Sequence, residues 1–297
     1  MTTDKVDLVM WTKNGAKTLP SVLRQIDYVI PKDAIKRKVI IDDESSDDSK
    51  LIARKFGWSV YPNDGKGISD GANTAFKYVE SERFISFEQD VLLSHRWWSN
   101  VPSLLNNNTA IASGLRLPNK PLALRKLLEY DIDRYPRNLE DNDVFHFGKT
   151  LDNTIYQTEI IKSIGGFPRI SLDACVDNVL AKRLYAAGFK WKVDYSVKSL
   201  HIRKGLRDEL RHFYWYGAQY PLLEPYISGK HASAKGFLKR LVFSPKYGVD
   251  LALKLNSPEL IYICPLIRLA LYRGLVSGRK NSKSARTLSS SLHKPVK

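Results

Sequence analysis

Short apolar runs alternate with amphipathic stretches over the first hundred residues of the chain. Runs rich in β-branched and aromatic residues predict four strands, at Val6–Trp11, Val39–Ile41, Trp58–Tyr61 and Phe84–Phe87. The stretches between them repeat apolar residues at helical spacing and predict helices at Leu19–Ile26, Ser49–Phe56 and Ala72–Val79. Because strands separated by helices are typical of a parallel sheet, the expected fold class is α/β with a mostly parallel sheet flanked by helices.

The second part of the chain begins in the same way and then changes character. A strand is predicted at Ile111–Leu115, and the proline-spotted residues 116–147 predict a long loop with a short helix at Leu122–Tyr130. Asp177 begins a helix that ends at Gly188, and a strand-like run from Lys190 ends at His201. Beyond it the alternation stops, and the pattern predicts an aromatic-rich helix at Leu206–Tyr220, basic amphipathic segments over 233–277 and frayed residues over roughly the last twenty.

The charge is distributed as unevenly as the pattern. Residues 200–297 carry 18 Lys and Arg against 5 Asp and Glu, which gives +13 of the formal net charge of +16, and residues 1–199 carry only +3. We therefore expect an α/β domain over residues 1–205 and a basic helical region over 206–297 that meets an anionic partner. Charge alone leaves a membrane surface, a nucleic acid and another acidic partner open.

Two segments of the basic region are suited to a membrane surface. Residues 234–243 are basic and amphipathic, whereas Leu260–Val276 is apolar but interrupted by Pro265 and two arginines. Its longest uncharged run, Leu260–Ile267, is far shorter than the ~20 residues that span a bilayer. We therefore expect a peripheral position among lipid headgroups, with two helices packed on the α/β domain as the alternative. Two widely separated cysteines fit a reducing, cytoplasmic compartment.

Carboxylates follow two of the predicted strands directly. Asp42 and Asp43 come after Val39–Ile41, and the sequence Glu88-Gln89-Asp90 comes after Phe84–Phe87. Ligands of open α/β sheets lie at the carboxyl ends of the strands, where both groups would meet. Carboxylate oxygens suit a hard divalent cation, although two solvated loop carboxylates would give the same spacing.

A glycine-rich stretch, residues 65–71, does not complete either common phosphate-binding motif. A dinucleotide fingerprint requires glycine where Asp70 stands, and a Walker A loop requires glycine where Val60 stands. A diphosphate bound near this stretch would therefore need its charge balanced in another way. A divalent metal ion held by carboxylates is the obvious substitute.

The order of these signals resembles the GT-A (Rossmann-like) glycosyltransferases of family 2 over roughly residues 5–203. Residues 6–14 are similar to the family's first strand, and residues 41–47 (IDDESSD) to its V-D-D-x-S-x-D motif. Residues 67–75 resemble its G-x-x-x-A-x-N-x-G segment, with Gly71 and Ala75 exchanging the usual residue types. Residues 88–90 occupy the place of the D-x-D metal motif with Glu first, and Gly165-Gly166-Phe167 followed by Asp177 resembles the G-G-F…E-D segment, with Val176 where Glu is usual.

The resemblance implies a metal-dependent inverting glycosyltransferase whose site residues fall into three groups. Binding of the nucleotide-diphosphate sugar donor would involve Thr12, Asn14, Asp42, Asp43, Asn73 and Gln89. A Mg²⁺ or Mn²⁺ ion on the diphosphate would be held by Asp90, helped by Glu88, with His201 as a further ligand. Asp177 would be the general base, and the acceptor would be a glycan or a lipid-linked hydroxyl or phosphate at the cytoplasmic membrane surface.

The chemistry of sugar transfer is consistent with these residue types. Displacement at an anomeric carbon needs one carboxylate to accept the acceptor's proton and one Lewis acid for the leaving diphosphate. Near a helix N-terminus, the charged form of Asp177 is expected to be favoured. Helix capping is the structural alternative for Asp177, and a surface or core position is the alternative for His201.

Two other classes of protein fit parts of the sequence. A sugar-phosphate nucleotidyltransferase shares a related sheet but normally carries a glycine-rich basic loop after its first strand, and residues 12–17 are poor in glycine. A basic nucleic-acid-binding protein would interleave cations with stacking aromatics. Here the positive charge is confined to the C-terminal region, away from the acidic strand ends, so no nucleic acid is expected as a partner.

Overall fold

In a computed structural model, residues 5–134, 148–170, 175–223 and 234–292 are described. The backbone divides into two compact units. The first contains Met1–Asn119 and Ile132–Ile202, and the second contains Lys120–Asp131 and Arg203–Lys297. The division into residues 1–205 and 206–297 stays a prediction from the sequence.

The first unit is built on one eight-stranded, mixed sheet. Its strands are β1 (Val6–Thr12), β2 (Ile35–Asp42), β3 (Ser59–Pro62), β4 (Arg83–Glu88), β5 (Val91–Leu92), β6 (Thr109–Pro118), β7 (Thr154–Gln157) and β8 (Lys190–His201). They lie in the order β3-β2-β1-β4-β7-β6-β8-β5. The pairs within β3-β2-β1-β4 and the pair β6-β8 are parallel, while β7 and β5 pair antiparallel with their neighbours. The expected mostly parallel α/β sheet is confirmed.

Among the described residues up to 186, seven α-helices accompany the strands. They are α1 (Leu19–Val29), α2 (Ser49–Lys55), α3 (Gly67–Phe76), α4 (Trp97–Asn100), α5 (Leu122–Asp133), α6 (Thr158–Ser163) and α7 (Val176–Ala186). Helix α1 buries the apolar side predicted for it, including Leu19, Val22, Leu23 and Ile26, against the core that β1 and β2 share. Spaced three or four residues apart, these side chains lie on one side of the helix.

Three sequence predictions for this part of the chain are wrong. Helix α3 begins at Gly67 instead of Ala72, so five of the seven residues of the glycine-rich stretch 65–71 belong to the helix. Asp70 explains the start, because its Oδ2 accepts the backbone N–H of Lys66 at 2.9 Å and so satisfies a donor that the helix leaves unpaired.

Residues 116–118 continue strand β6, and α5 extends to Asp133, so the predicted loop over 116–147 is shorter by these residues. Residues 135–147 lie outside the described part.

The second unit contains most of α5 together with α8 (Leu206–Leu223), α9 (Ala234–Lys254) and α10 (Leu260–Leu292). Its core joins side chains such as Leu124, Leu251, Leu260, Ile263 and Leu275. Helix α10 continues to Leu292, where the sequence predicted frayed residues; their flexibility stays a prediction.

Glycines let the helices of the second unit approach each other closely. A Cβ atom at Gly217 of α8 would collide with the backbone of Leu271, and one at Gly274 or Gly278 of α10 would collide with the backbone of α8. A Cβ at Gly248 of α9 would lie 2.7 Å from the carbonyl oxygen of Leu260. These helices can therefore pack at this short distance only because the glycines carry no side chain at the contact points.

One helical stretch among the described residues, Leu260–Lys280, has the length and composition of a membrane-spanning segment, with a mean hydropathy of 1.5. The sequence-based expectation that this region is too short to span a bilayer counted only the uncharged run Leu260–Ile267. The helical stretch that includes the charged residues is long enough, so the expectation was wrong on this point. Core helices of soluble proteins have the same properties, and Leu260, Ile263, Ile267, Leu271 and Leu275 are buried in the second unit.

Candidate active site

The carboxyl ends of three neighbouring strands bring the predicted donor and metal residues together. Thr12 of β1 pairs in register with Asp42 of β2, and Trp11 of β1 pairs with Glu88 of β4. The chain turns directly after Glu88, and β5 then returns antiparallel to β8, where Val91 pairs with His201. Residues far apart in sequence therefore meet at one edge of the sheet.

The loop after β1 is held against the loop after β2 by a dense hydrogen-bond network. Asn14, which adopts a left-handed conformation (φ 53°), accepts the N–H of Ser46 with its Oδ1 at 2.9 Å, and its own N–H donates to Ser45 Oγ at 2.8 Å. Asp42 is buried and accepts the N–H of Ser45 at 3.0 Å. Asp47 accepts the N–H groups of Ala16 and Ser49, both at 3.0 Å. These contacts fix the turn between β2 and α2.

Asp43 lies at the centre of the predicted donor pocket and is mostly buried. Its Oδ2 lies 3.1 Å from Lys13 Nζ, and its Oδ1 accepts a hydrogen bond from Asn63 Nδ2 at 3.2 Å. The N–H of Gly67, at the start of α3, donates to Oδ2 at 3.4 Å. Three loops thus converge on one carboxylate.

Gln89 links the predicted donor and metal residues. Its Oε1 accepts hydrogen bonds from Thr12 Oγ1 and from the N–H of Lys13, and its Nε2 donates to the carbonyl of Lys13 at 3.1 Å. A Cβ at Gly15 would lie 2.5 Å from Gln89 Oε1, so a larger residue there would displace the end of the Gln89 side chain. The amide therefore ties the turn after β4 to the end of β1.

Asn73 is buried, and its amide joins α3 to the Gly-Gly-Phe turn. Its Nδ2 donates to the carbonyls of Ser69 and Phe167, at 2.9 and 3.1 Å. Gly165 and Gly166 both have positive φ (85° and 75°), which lets the chain reverse there and bury Phe167 among aromatic rings. The donor role of Asn73 stays a prediction; the contacts show a residue that positions this turn.

Glu88, Asp90 and His201 form a group that is able to hold a metal ion. One ligand atom from each lies within 4.8 Å of the others, and His201 Nε2 lies 3.0 Å from Asp90 Oδ2. Metal–ligand distances of about 2.0–2.2 Å place two ligands of one ion up to ~4.4 Å apart, so small side-chain rotations bring all three into range. Carboxylate oxygens with one imidazole suit Mn²⁺ or Mg²⁺.

Asp177 lies in the first turn of α7, after Cys175 at a left-handed φ of 66°. Burial of the carboxyl among protein atoms raises the pKa of Asp177 to about 6, although part of the residue reaches solvent. The N–H of Asn178, donating at 2.9 Å, and the positive charge of Arg116 act in the opposite direction, and the charge of Asp152 adds to the rise. The expectation that the helix N-terminus favours the charged form of Asp177 is wrong in direction, because desolvation outweighs that effect and raises the pKa.

A pKa nearer neutrality suits a general base better than an ordinary carboxylate pKa does, since it strengthens proton acceptance while the group is still ionised at neutral pH. Val176 stands where the family usually has Glu, so among the described residues of this turn the carboxylate is that of Asp177. Its role as base stays a prediction.

Sequence reasoning missed Lys13, Asn63 and Arg116, which contact predicted site residues, and Asp152, which contacts Arg116. Arg116 left a signal in the sequence, because it directly follows the apolar run Ile111–Leu115. A partly buried guanidinium there needs a carboxylate partner. The other three lie in loops, where the sequence pattern does not determine which residues meet.

An α/β sheet with acidic strand ends and a group of side chains able to hold a metal ion is the architecture of a GT-A-type transferase. Residues 7–159 match Glycosyl transferase family 2, and because this match covers just over half of the chain, the chain belongs to that family. No curated protein matches the chain. The family assignment favours a glycosyltransferase over the nucleotidyltransferase and the nucleic-acid-binding protein.

Similar solved structures share the fold at low sequence identity. The mannosyltransferase PcManGT from Pyrobaculum calidifontis, in complex with GDP-Man and Mn²⁺, has a TM-score of 0.58 at 17% identity, over 98% of this chain and 81% of that one. TarS 1-349 of S. aureus, in complex with UDP, has a TM-score of 0.52 at 14% identity, over 93% and 92% of the two chains. Glucosyl-3-phosphoglycerate synthase from Mycobacterium tuberculosis, in complex with Mn²⁺, UDP and phosphoglyceric acid, has a TM-score of 0.51 at 12% identity, over 69% and 73%.

Proposed function

We propose that this glycosyltransferase is metal-dependent and inverting, and that it transfers a sugar from a nucleotide-diphosphate donor to a hydroxyl or phosphate acceptor. The observation that carries the proposal is the convergence of Glu88, Asp90 and His201, with Gln89 between the two carboxylates bonded to Lys13, which in turn contacts Asp43. The nucleotide-diphosphate ligands and Mn²⁺ in the similar structures support the donor class and the metal.

In this proposal each group has one task. The pocket around Asp43 binds the nucleoside, and Asp90, Glu88 and His201 hold Mn²⁺ or Mg²⁺. The bound ion supplies Lewis-acid stabilisation of the leaving diphosphate. Asp177 accepts the proton of the acceptor hydroxyl while that oxygen attacks the anomeric carbon. A single displacement with one base inverts the anomeric configuration.

A thermal-shift screen with Mn²⁺ tests the donor class. Nucleotide diphosphates and their sugars should raise the melting temperature with Mn²⁺ and lose most of this effect in chelator, because a ligand that binds only the native state stabilises it. The best donor is then used for turnover, and ¹H NMR of the product reports its anomeric configuration. A set of nucleotides without any effect would remove the donor proposal, and retention of configuration would remove the inverting mechanism.

We further propose that the acceptor is lipid-linked, or a growing glycan, at the anionic cytoplasmic membrane surface, and that α9 binds this surface. Six exposed residues of α9 are spaced four or three apart and so share one side of the helix; they are Lys235, Lys239, Val242, Lys246, Val249 and Leu253. Leu253 is 81% exposed and Val242 is 65% exposed. Cations mixed with unburied apolar side chains fit anionic headgroups and the boundary with the acyl chains.

Sedimentation with vesicles containing phosphatidylglycerol tests the membrane proposal. The full chain should bind at low salt, and binding should weaken with salt without vanishing, because salt does not screen the apolar contribution. Val242→Asp with Leu253→Asp should abolish binding, whereas Leu51→Asp, at an exposed leucine of the first unit, should not. A wild-type chain that stays in the supernatant would contradict the proposal. So would a chain that forms a salt-sensitive, concentration-dependent dimer with itself but does not bind the vesicles.

A further inference from the structure

Arg116 joins a residue of the metal group to a buried carboxylate that the proposed reaction does not use. Its Nη1 lies 3.2 Å from Glu88 Oε2 and 2.6 Å from Asp152 Oδ2. Asp152 is fully buried, and its other oxygen is 3.3 Å from Thr150 Oγ1. Asp152 is therefore a fixed anchor, and the guanidinium extends from it to Glu88.

Glu88 is the residue of the metal group that most needs such support. It stands where the family motif has Asp, and the longer side chain has one more rotatable bond and a longer reach. Ordering a flexible side chain costs conformational entropy, and a metal ion must meet that cost if nothing else does. The planar guanidinium of arginine donates in a fixed geometry, so it can restrict the carboxylate before an ion arrives.

We propose that Arg116 is a positioning residue for the metal site: it binds one oxygen of Glu88 and thereby directs the second toward Asp90 and His201. This inference rests on the proposed metal dependence and deepens it. If positioning plays no part, removal of Arg116 should strengthen metal binding, because a nearby cation repels a divalent ion. If Arg116 positions Glu88, its removal should weaken metal binding. The sign of the effect of removing Arg116 therefore decides the matter.

Titration of the full chain with Mn²⁺ alone, followed by the electron paramagnetic resonance signal of free Mn²⁺, gives a readout independent of turnover. Arg116→Ala should weaken Mn²⁺ binding about 10–100-fold, as is typical when a partner of a metal ligand is lost. In a Glu88→Ala background the same substitution should add little, because the two residues act through one contact. Since Arg116→Ala leaves Asp152 as an uncompensated buried charge, the series is repeated with Asp152→Asn present to protect folding.

Arg37 offers a matched control in the same unit. It also contacts one fully buried carboxylate, Asp7, and one glutamate, Glu80, but none of the metal group. Arg37→Ala should leave Mn²⁺ affinity unchanged. Unchanged or tighter Mn²⁺ binding in Arg116→Ala, or equal weakening with and without Glu88, would overturn the inference. If Asp90→Ala and His201→Ala also left Mn²⁺ binding unchanged, the proposed metal site itself would be wrong, so the two failures are distinguishable.

Discussion

The two sides of the candidate site are built in different ways. On the donor side, Asn14, Asp42 and Asp43 are held by short loops that follow two adjacent parallel strands, and backbone N–H groups donate to them. On the metal and base side, Glu88, Asp177 and His201 come from three distant parts of the chain, and charge connects them. The first side is preformed by backbone geometry, whereas the second depends on balanced charges. Substitutions should therefore act locally on the first side and through neighbouring charges on the second.

The largest effect is expected at the centre of the charge-balanced side. Asp90→Ala should abolish measurable sugar transfer, because the leaving diphosphate loses its Lewis acid. A chelator should do the same to the wild-type protein, and product formation from the donor found by thermal shift measures both. Glu159→Ala, at an exposed carboxylate of α6, is the control that should keep full activity. Full wild-type activity in chelator would contradict the metal-dependent mechanism.

The next effect concerns the base. Asp177→Asn should lower kcat by about 10²–10⁴ and leave donor affinity nearly unchanged, since the base serves the acceptor. Because the carboxylate must be ionised, the wild-type rate should fall as the pH drops below about 6. The residual activity of Asp177→Asn should not show this fall. Loss of donor binding with an unchanged rate at saturation would show that Asp177 has a different role.

On the preformed side the effect should appear in binding. Asp43→Ala removes a carboxylate that accepts from Asn63 and Gly67. Loss of a hydrogen bond to a charged group costs about 1.5–3 kcal/mol, or roughly 10–150-fold in donor affinity. Isothermal titration with the donor nucleotide, with Mn²⁺ present throughout, measures this. If Asp43→Ala lowered kcat and left affinity unchanged, the comparison between the two sides would fail.

The smallest effect is on stability and has a sign opposite to that on activity. The folded-state pKa of Asp177 is raised, to about 6, so the ionised carboxylate opposes folding above that pH and the penalty disappears as the group protonates at lower pH. Asp177→Asn should therefore stabilise the metal-free protein at pH 8. The free energy of unfolding should rise by at most about 1–3 kcal/mol, and the melting temperature should rise with it. No gain is expected at pH 4. Equal changes at both pH values would mean that packing, and not charge, explains them.

The sequence predicted the fold and the positions of Asp42 and Asp43 at a strand end well, because the physics there is local. Strands such as Val39–Ile41 carry their own periodicity, and Asp42 and Asp43 follow from the position at which the strand ends. The family match and the similar structures confirm the resemblance that these motifs indicated.

The other side could be predicted only in part. That His201 lies 3.0 Å from Asp90 depends on β8 pairing with β5, and sequence periodicity does not determine which strands pair. The raised pKa of Asp177 depends on the protein mass around it and on Arg116 and Asp152. The helix N-terminus was visible in the sequence, whereas the burial that outweighs it was not. The start of α3 at Gly67 was missed because Asp70 supplies a capping contact that propensity alone does not weigh.

The glycines between α8 and α10 have a consequence for how sequence variation in this protein is interpreted. At Gly217, Gly274 and Gly278 the added methyl group of alanine would meet backbone atoms, which have no alternative rotamer. A library of single substitutions should therefore find these positions almost as intolerant as the acidic residues of the candidate site. Such intolerance would report the distance between two helix axes. A mutational map of this chain would mark two kinds of invariant position, and only one of them would belong to the candidate site.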